Sequence, residues 1–109
     1  MENNKIFKGL YMNAMLLEDR LRVAQNKGFI NKNLEESYDE IIFEDMDLHH
    51  IEFAPARSII IQGYLHIPFN KKLTLTSIFK GKAKELKIWF NKDGNEEFEE
   101  LRELLMEKR

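Results

Sequence analysis

The sequence predicts a mainly β, α+β domain in which a series of short strands leads into one C-terminal amphipathic helix. Two patterns in the chain predict it. Apolar residues recur at every second position in several segments up to Phe90, the period of a half-buried strand. Beyond Asp93 the apolar spacing lengthens to that of a helix. The 109 residues, 43% hydrophobic and 33% charged with eight Phe, suit one globular domain over 1–109 with a single core.

The elements follow in order. Leu10, Met12, Ala14 and Leu16 repeat with period two and place a strand near 6–17. Glu18-Asp19 supplies a turn, and Leu21 and Val23 alternate with Arg20 and Arg22 in a strand near 20–26. The polar stretch from Asn31 to Glu36 reads as a loop. Ile41 and Phe43, then Ile51 and Phe53, mark strands near 38–46 and 49–54, with Pro55 closing the second. The segment SIIIQGYLHIPF carries the strongest β signal and places a strand near 58–68. Ile59, Ile61, Leu65 and Ile67 share one face of it, and Ile60, Gln62, Tyr64 and His66 the other. Gly63 within the run suggests a bulge or bend. Strands near 72–79 and 84–91 follow, the latter with Leu86, Ile88 and Phe90 inward and Trp89 outward or on a neighbouring element. Phe98, Leu101, Leu104 and Leu105 then define the buried stripe of a helix near 94–108. Asp93 and Glu96 have the spacing of a capping box, and Lys108 and Arg109 end the helix in the sense its dipole favours.

In combination, four segments carry a resemblance: KGLYMNAMLLEDRLRVAQNKGF as a first hairpin, IIFEDMDLHHIEFAPA as an isoleucine-led strand ending at a proline, IIIQGYLHI around a Gly-Tyr pair, and LKIWFNKDGNEEFEELRELL as last strand plus helix. With these the chain resembles the bacterial pleckstrin-homology-like family. The resemblance implies a small, partly open, seven-stranded barrel of two sheets capped by the C-terminal helix, a scaffold that hosts lipid binding, peptide binding and oligomerisation.

Chemistry is sparse. There is no Cys, so thiolate catalysis, thiolate metal sites and disulfides are excluded. His49-His50 with Asp45 and Asp47 hints at a metal site, but neighbours in a strand point to opposite faces, so none is expected. No catalytic constellation, phosphate loop or cofactor motif stands out, and the reading is non-enzymatic with no cofactor. The polar N-terminus has no secretory apolar run and no segment reaches the roughly 18 apolar residues of a membrane span, so the expected compartment is the cytoplasm.

Charge is sorted along the chain, with net values of +3 over 1–32, −8 over 33–52, +7 over 53–92 and −4 over 93–109, and a total of −2. The near-neutral total argues against a nucleic-acid binder. Lysines 71, 72, 80, 82, 84 and 87 read as guards on exposed hairpins. Glu18 and Asp19 oppose a phosphate site built from Lys8, Arg20 and Arg22.

The first functional expectation is an interaction domain that binds a protein partner or itself through a sheet edge or the groove beside the helix. Ile60, Tyr64 and Trp89 are the candidate contacts, with Phe29 and Ile30 as cover or further contacts. Ranked below it are a peripheral anionic-lipid or anionic-ligand binder using the basic strands, and a small phage or mobile-element inhibitor of a nucleic-acid enzyme using its acidic 35–52 face.

Overall fold

The computed structural model describes residues 5–26, 30–78 and 81–109, without the side chains of 30–32. Strands β1 (Ile6–Lys8), β2 (Met12–Leu16), β3 (Arg20–Gln25) and β4 (Asp39–Ile42) form one antiparallel meander, and β5 (Glu52–Ala54), β6 (Gly63–Leu75) and β7 (Gly81–Phe90) form another. Helix α1 (Ile30–Glu36) joins β3 to β4, and helix α2 (Asn95–Met106) follows β7. The fold is therefore mostly β with a C-terminal helix, as expected.

The inner faces follow from the period-two pattern. Phe7 pairs with Ala14, Ala14 with Val23 and Leu21 with Ile41 across the first sheet, and all five are buried. In the second, Leu65 pairs with Ile88 and Ile67 with Leu86, again all buried. Both faces feed one core, into which α2 sets the fully buried Phe98, Leu101 and Leu105. Phe98 stacks on Phe90 with centroids 4.6 Å apart and rings 4° from parallel, and lies 6.1 Å from Phe7. The apolar stripe read from the sequence is thus the contact of the helix with both sheets, met by Phe90 from one and Phe7 from the other.

The sheets are tied at two seams. On one side Asp47 N–H donates to Pro68 O (2.8 Å), Met46 bridges Phe69, and Asp39 accepts from Thr76 N, Ser77 N and Ser77 Oγ. On the other, Leu10 N–H donates to Trp89 O (2.9 Å).

Several boundaries differ from the sequence reading, each for a physical reason. The strand expected at 6–17 is two strands, because Gly9 turns the chain and donates its N–H to Met12 O (3.0 Å) and Asn13 Oδ1 (3.2 Å). A Cβ there would lie 2.9 Å from Trp89 O, so the turn can nestle against β7 only with glycine. The loop expected at 31–36 is α1. Seven residues make a marginal helix alone, but Leu34 is fully buried and its carbonyl accepts from Arg22, whose guanidinium lies over Tyr38. The strand expected at 38–46 stops at Ile42 and gives way to a 3-10 turn over Phe43–Asp45. That expected at 49–54 begins only at Glu52, since Leu48–His50 form a second 3-10 turn.

The strands expected at 58–68 and 72–79 are one strand, β6, with a register shift between Pro68 and Leu73 and none at Gly63. Residues 58–62 precede that strand as a loop, so Ile59 and Ile61 do not join the inward face. The capping box is absent: Gly94 is the N-cap of α2 without a side-chain cap, and Asp93 belongs to a 3-10 turn over Lys92–Gly94.

Candidate docking surface

The loop between β5 and β6 is built by short-range hydrogen bonds. Asn95, the first residue of α2, clamps Ala56 from both sides: its Oδ1 accepts the Ala56 N–H (2.8 Å) and its Nδ2 donates to the Ala56 carbonyl (3.0 Å). Arg57 N–H then donates to Ile61 O (3.0 Å), closing a turn. Within it Ser58 Oγ accepts the N–H groups of Ile60 (3.2 Å) and Ile61 (3.1 Å), the local bonding that makes serine a turn former.

This frame holds three isoleucines outward. Ile59 is 95% exposed, Ile60 89% and Ile61 55%, and Tyr11 at the β1–β2 turn is 61% exposed. Tyr11 Oη accepts from Gln62 Nε2 (3.4 Å), which brings the two loops together into one apex. Among the described residues these four are the exposed large hydrophobic side chains. Fully burying an isoleucine is worth about 1.5–3 kcal/mol, so the three together hold roughly 4–7 kcal/mol of unrealised transfer free energy. Adjacent exposed isoleucines of this kind make the apex the candidate interaction surface.

Exposed cations stand around the apex. Arg57 is part of the turn, and Lys92 with Asn91 and Asp93 faces Ser58 and Ile59 across a shallow cleft of about 210 Å³. A second cleft of about 220 Å³ is lined by Lys8, Leu10, Asp93 and Glu97.

The five residues expected at the contact do not form one cluster. Ile60 is at the apex, in the loop before β6 rather than in the strand expected near 58–68. Tyr64 and Trp89 face each other across β6 and β7, edge to face at 5.5 Å, on the outer side of the second sheet. Lys87 lies over both rings at 4.2 and 4.7 Å, so the pair is half covered from within the chain. Phe29 and the side chain of Ile30 lie outside the described residues. Sequence reasoning missed Ile59, Ile61 and Tyr11. The available signal was three consecutive isoleucines without alternation, preceded by the turn formers Pro55 and Ser58, which argues that the strand begins only at Gly63.

Two further charged clusters, the Arg20–Arg22 pair and the acidic 35–52 segment, find partners within the chain. Arg20 contacts Asp19 and Glu40, and Arg22 reaches Glu40 Oε2 at 2.8 Å and the Leu34 carbonyl at 3.0 Å. The Arg20 guanidinium holds the Asp19 carboxyl below the usual carboxylate range, and Asp19 and Glu40 strengthen the hold of Arg20 on its proton. Arg20 and Arg22 are therefore committed to carboxylates. In the acidic 35–52 segment Asp39 bonds Ser77, Glu40 binds both arginines, Asp45 meets Lys71, Asp47 meets His50 and Glu52 meets His66. Of its acids, Glu40 and Asp45 are thus neutralised by cations of the chain, and Asp39, Asp47 and Glu52 have hydrogen-bond partners in it.

His49 and His50 sit in a 3-10 turn rather than a strand. His66 lies between Glu52 (3.1 Å from Nδ1) and Glu85 at Nε2. These carboxylates meet opposite edges of the ring, and among the described residues no group of three His, Asp or Glu is placed to hold a metal. No helix among them is long and apolar enough to cross a membrane. No family model, curated protein or solved structure matches the chain.

Proposed function

We propose that the chain is a non-enzymatic interaction domain of pleckstrin-homology-like type, and that its docking end is the apex formed by Tyr11 and Ile59–Ile61. The order of a four-stranded meander, a three-stranded meander and a C-terminal helix supports the fold assignment. The observation that carries the functional reading is the exposure of three successive isoleucines on a loop closed by Ser58 and clamped by Asn95. A slack loop would fold such side chains back on the core, whereas this one is held in the presenting conformation, and a surface organised before binding loses little conformational entropy on contact.

The test places a photo-crosslinking amino acid at position 60, with the exposed α2 position 99 as control, in the cell that makes the chain. Discrete adducts from position 60 and none from position 99 are expected. Equal, diffuse labelling from both would refute the apex as the docking end.

A further inference from the structure

We infer that the partner of this apex is the surface of a phospholipid bilayer carrying anionic lipid, into whose interface Ile59 and Ile60 insert; this rests on the docking reading above. Shape is the first argument. Ile59 and Ile60 are almost fully exposed on a convex loop. A protein partner must supply a matching pocket, whereas a bilayer accepts a protruding aliphatic group without one.

Area is the second. The exposed parts of the three isoleucines amount to about two and a half side chains, roughly 150–300 Å² of apolar surface at the usual transfer coefficient. A stable protein interface needs about 800 Å² on each side. The patch is too small to hold a second copy of the chain, but it is in the range of an interfacial anchor that works together with charge.

The third argument is the state of the backbone. Polar main-chain groups carried into an apolar interface must be satisfied from within. Here Ser58 Oγ takes the N–H groups of Ile60 and Ile61, and Arg57 N–H takes the Ile61 carbonyl. These bonds lower the number of polar main-chain groups that insertion would strip of water.

Charge placement gives the fourth. Arg57, Lys92 and Lys8 stand at the end of the molecule where α2 begins. The acidic turns bearing Glu44 and Asp47 lie with Lys108 and Arg109 at the end where α2 finishes, about 18 Å away along the helix. The molecule therefore offers its apolar tip to a negative surface with most of the 43–47 acids turned away. Asp93, Glu96 and Glu97 stand at the same end and match these cations in number, which leaves the local field of Arg57 and Lys92 beside Ile59, so binding should depend only moderately on salt. Tyr11, joined to the loop through Gln62, adds an amphipathic ring of the kind that settles at a membrane–water interface. Arg20 and Arg22 are paired with carboxylates, so the inference concerns the membrane surface and calls on no headgroup pocket between them.

The experiment is co-flotation of the full chain with vesicles of phosphatidylcholine alone and with about a third phosphatidylserine, followed by fluorescence of a single label. The absence of Cys lets Ile59→Cys carry one environment-sensitive dye, with Glu99→Cys as control. The wild type should float with the anionic vesicles, and the dye at 59 but not at 99 should shift to the blue. Ile59→Asp with Ile60→Asp should weaken flotation at least tenfold, and Arg57→Gln with Lys92→Gln measurably but by less than about 25-fold, the limit at roughly fivefold for each unopposed cation near an anionic surface. An unchanged thermal midpoint shows that the variants fold. Flotation that ignores the isoleucine changes, or no flotation on any vesicle, overturns the inference. If vesicles fail while position 60 still gives discrete protein adducts, the docking reading stands and the membrane inference falls. If both fail, both fall.

Discussion

Gly63→Ala should destabilise the fold by about 1–3 kcal/mol, against the usual expectation for this exchange. In a backbone conformation open to any residue, replacing glycine with alanine stabilises by about 0.4–1 kcal/mol, because the unfolded chain loses freedom. Gly63 has no positive φ, so that gain applies. Against it stands the space: a Cβ would collide with the Phe90 ring and the Ala56 amide nitrogen, and would lie 2.7 Å from the Ala54 carbonyl oxygen. None of these is the end of a flexible side chain. Phe90 is held between Phe98 at 4.6 Å and Phe53 at 5.7 Å, and Ala56 is clamped by Asn95. Overpacking costs roughly 1–3 kcal/mol and occasionally more, and three contacts this short put Gly63 at or above the top of that range, which leaves a net loss of about 2 kcal/mol after the entropic gain. Thermal and urea unfolding should show a midpoint lowered by roughly 5–15 °C for a domain of this size. Gly81→Ala is the contrasting control. Nothing lies within 4 Å of its Cβ position, but its φ of +142° strains any L side chain, at about 1–3 kcal/mol. A Gly63→Ala protein as stable as the wild type would refute the close-approach argument.

Three further outcomes are expected. Leu101→Ala should cost about 2–5 kcal/mol as a cavity at a fully buried site, and Leu104→Ala, at a partly buried position, clearly less; equal losses in urea titration would contradict the placement of the helix. Asn95→Ala removes both bonds to Ala56 and should cost about 1–3 kcal/mol, with faster hydrogen exchange at Ala56, Ile60 and Ile61 while the amides of β7 stay protected; uniform loss of protection would mean that the clamp is not local. Asp19 should titrate below 3.8, because Arg20 favours its charged form. A depressed folded value means that its contribution to stability is present above the unfolded pKa and is lost as pH falls through the folded pKa. Asp19→Asn should therefore flatten the acid limb of the stability profile only at and below about pH 4, and an NMR midpoint at or above 3.8 would refute the pairing.

Elements whose signal is local could be read from the chain. Phe98, Leu101 and Leu105 repeat at helical spacing, and a helix needs only its own residues to satisfy its backbone. Alternation likewise located the strands around Leu21 and Val23, Leu65 and Ile67, and Leu86 and Ile88, because one face of each has to be apolar once a sheet forms. The pattern says nothing about whether a partner strand is at hand. Ile59 to Ile61 carry the same side chains as a buried strand, and only the clamp on Ala56 from Asn95, thirty-nine positions on, together with the Ser58 turn, decides that they meet solvent. Gly9 turns against a carbonyl of β7, and α1 forms where Leu34 finds a buried site and Arg22 finds its carbonyl, contacts invisible in a short window. The sequence by itself determined the fold class, the buried stripe of the helix and the lack of any thiol chemistry. Tertiary structure alone decided which isoleucines pack and which stand out, because long-range hydrogen bonds select among conformations that local periodicity leaves equal.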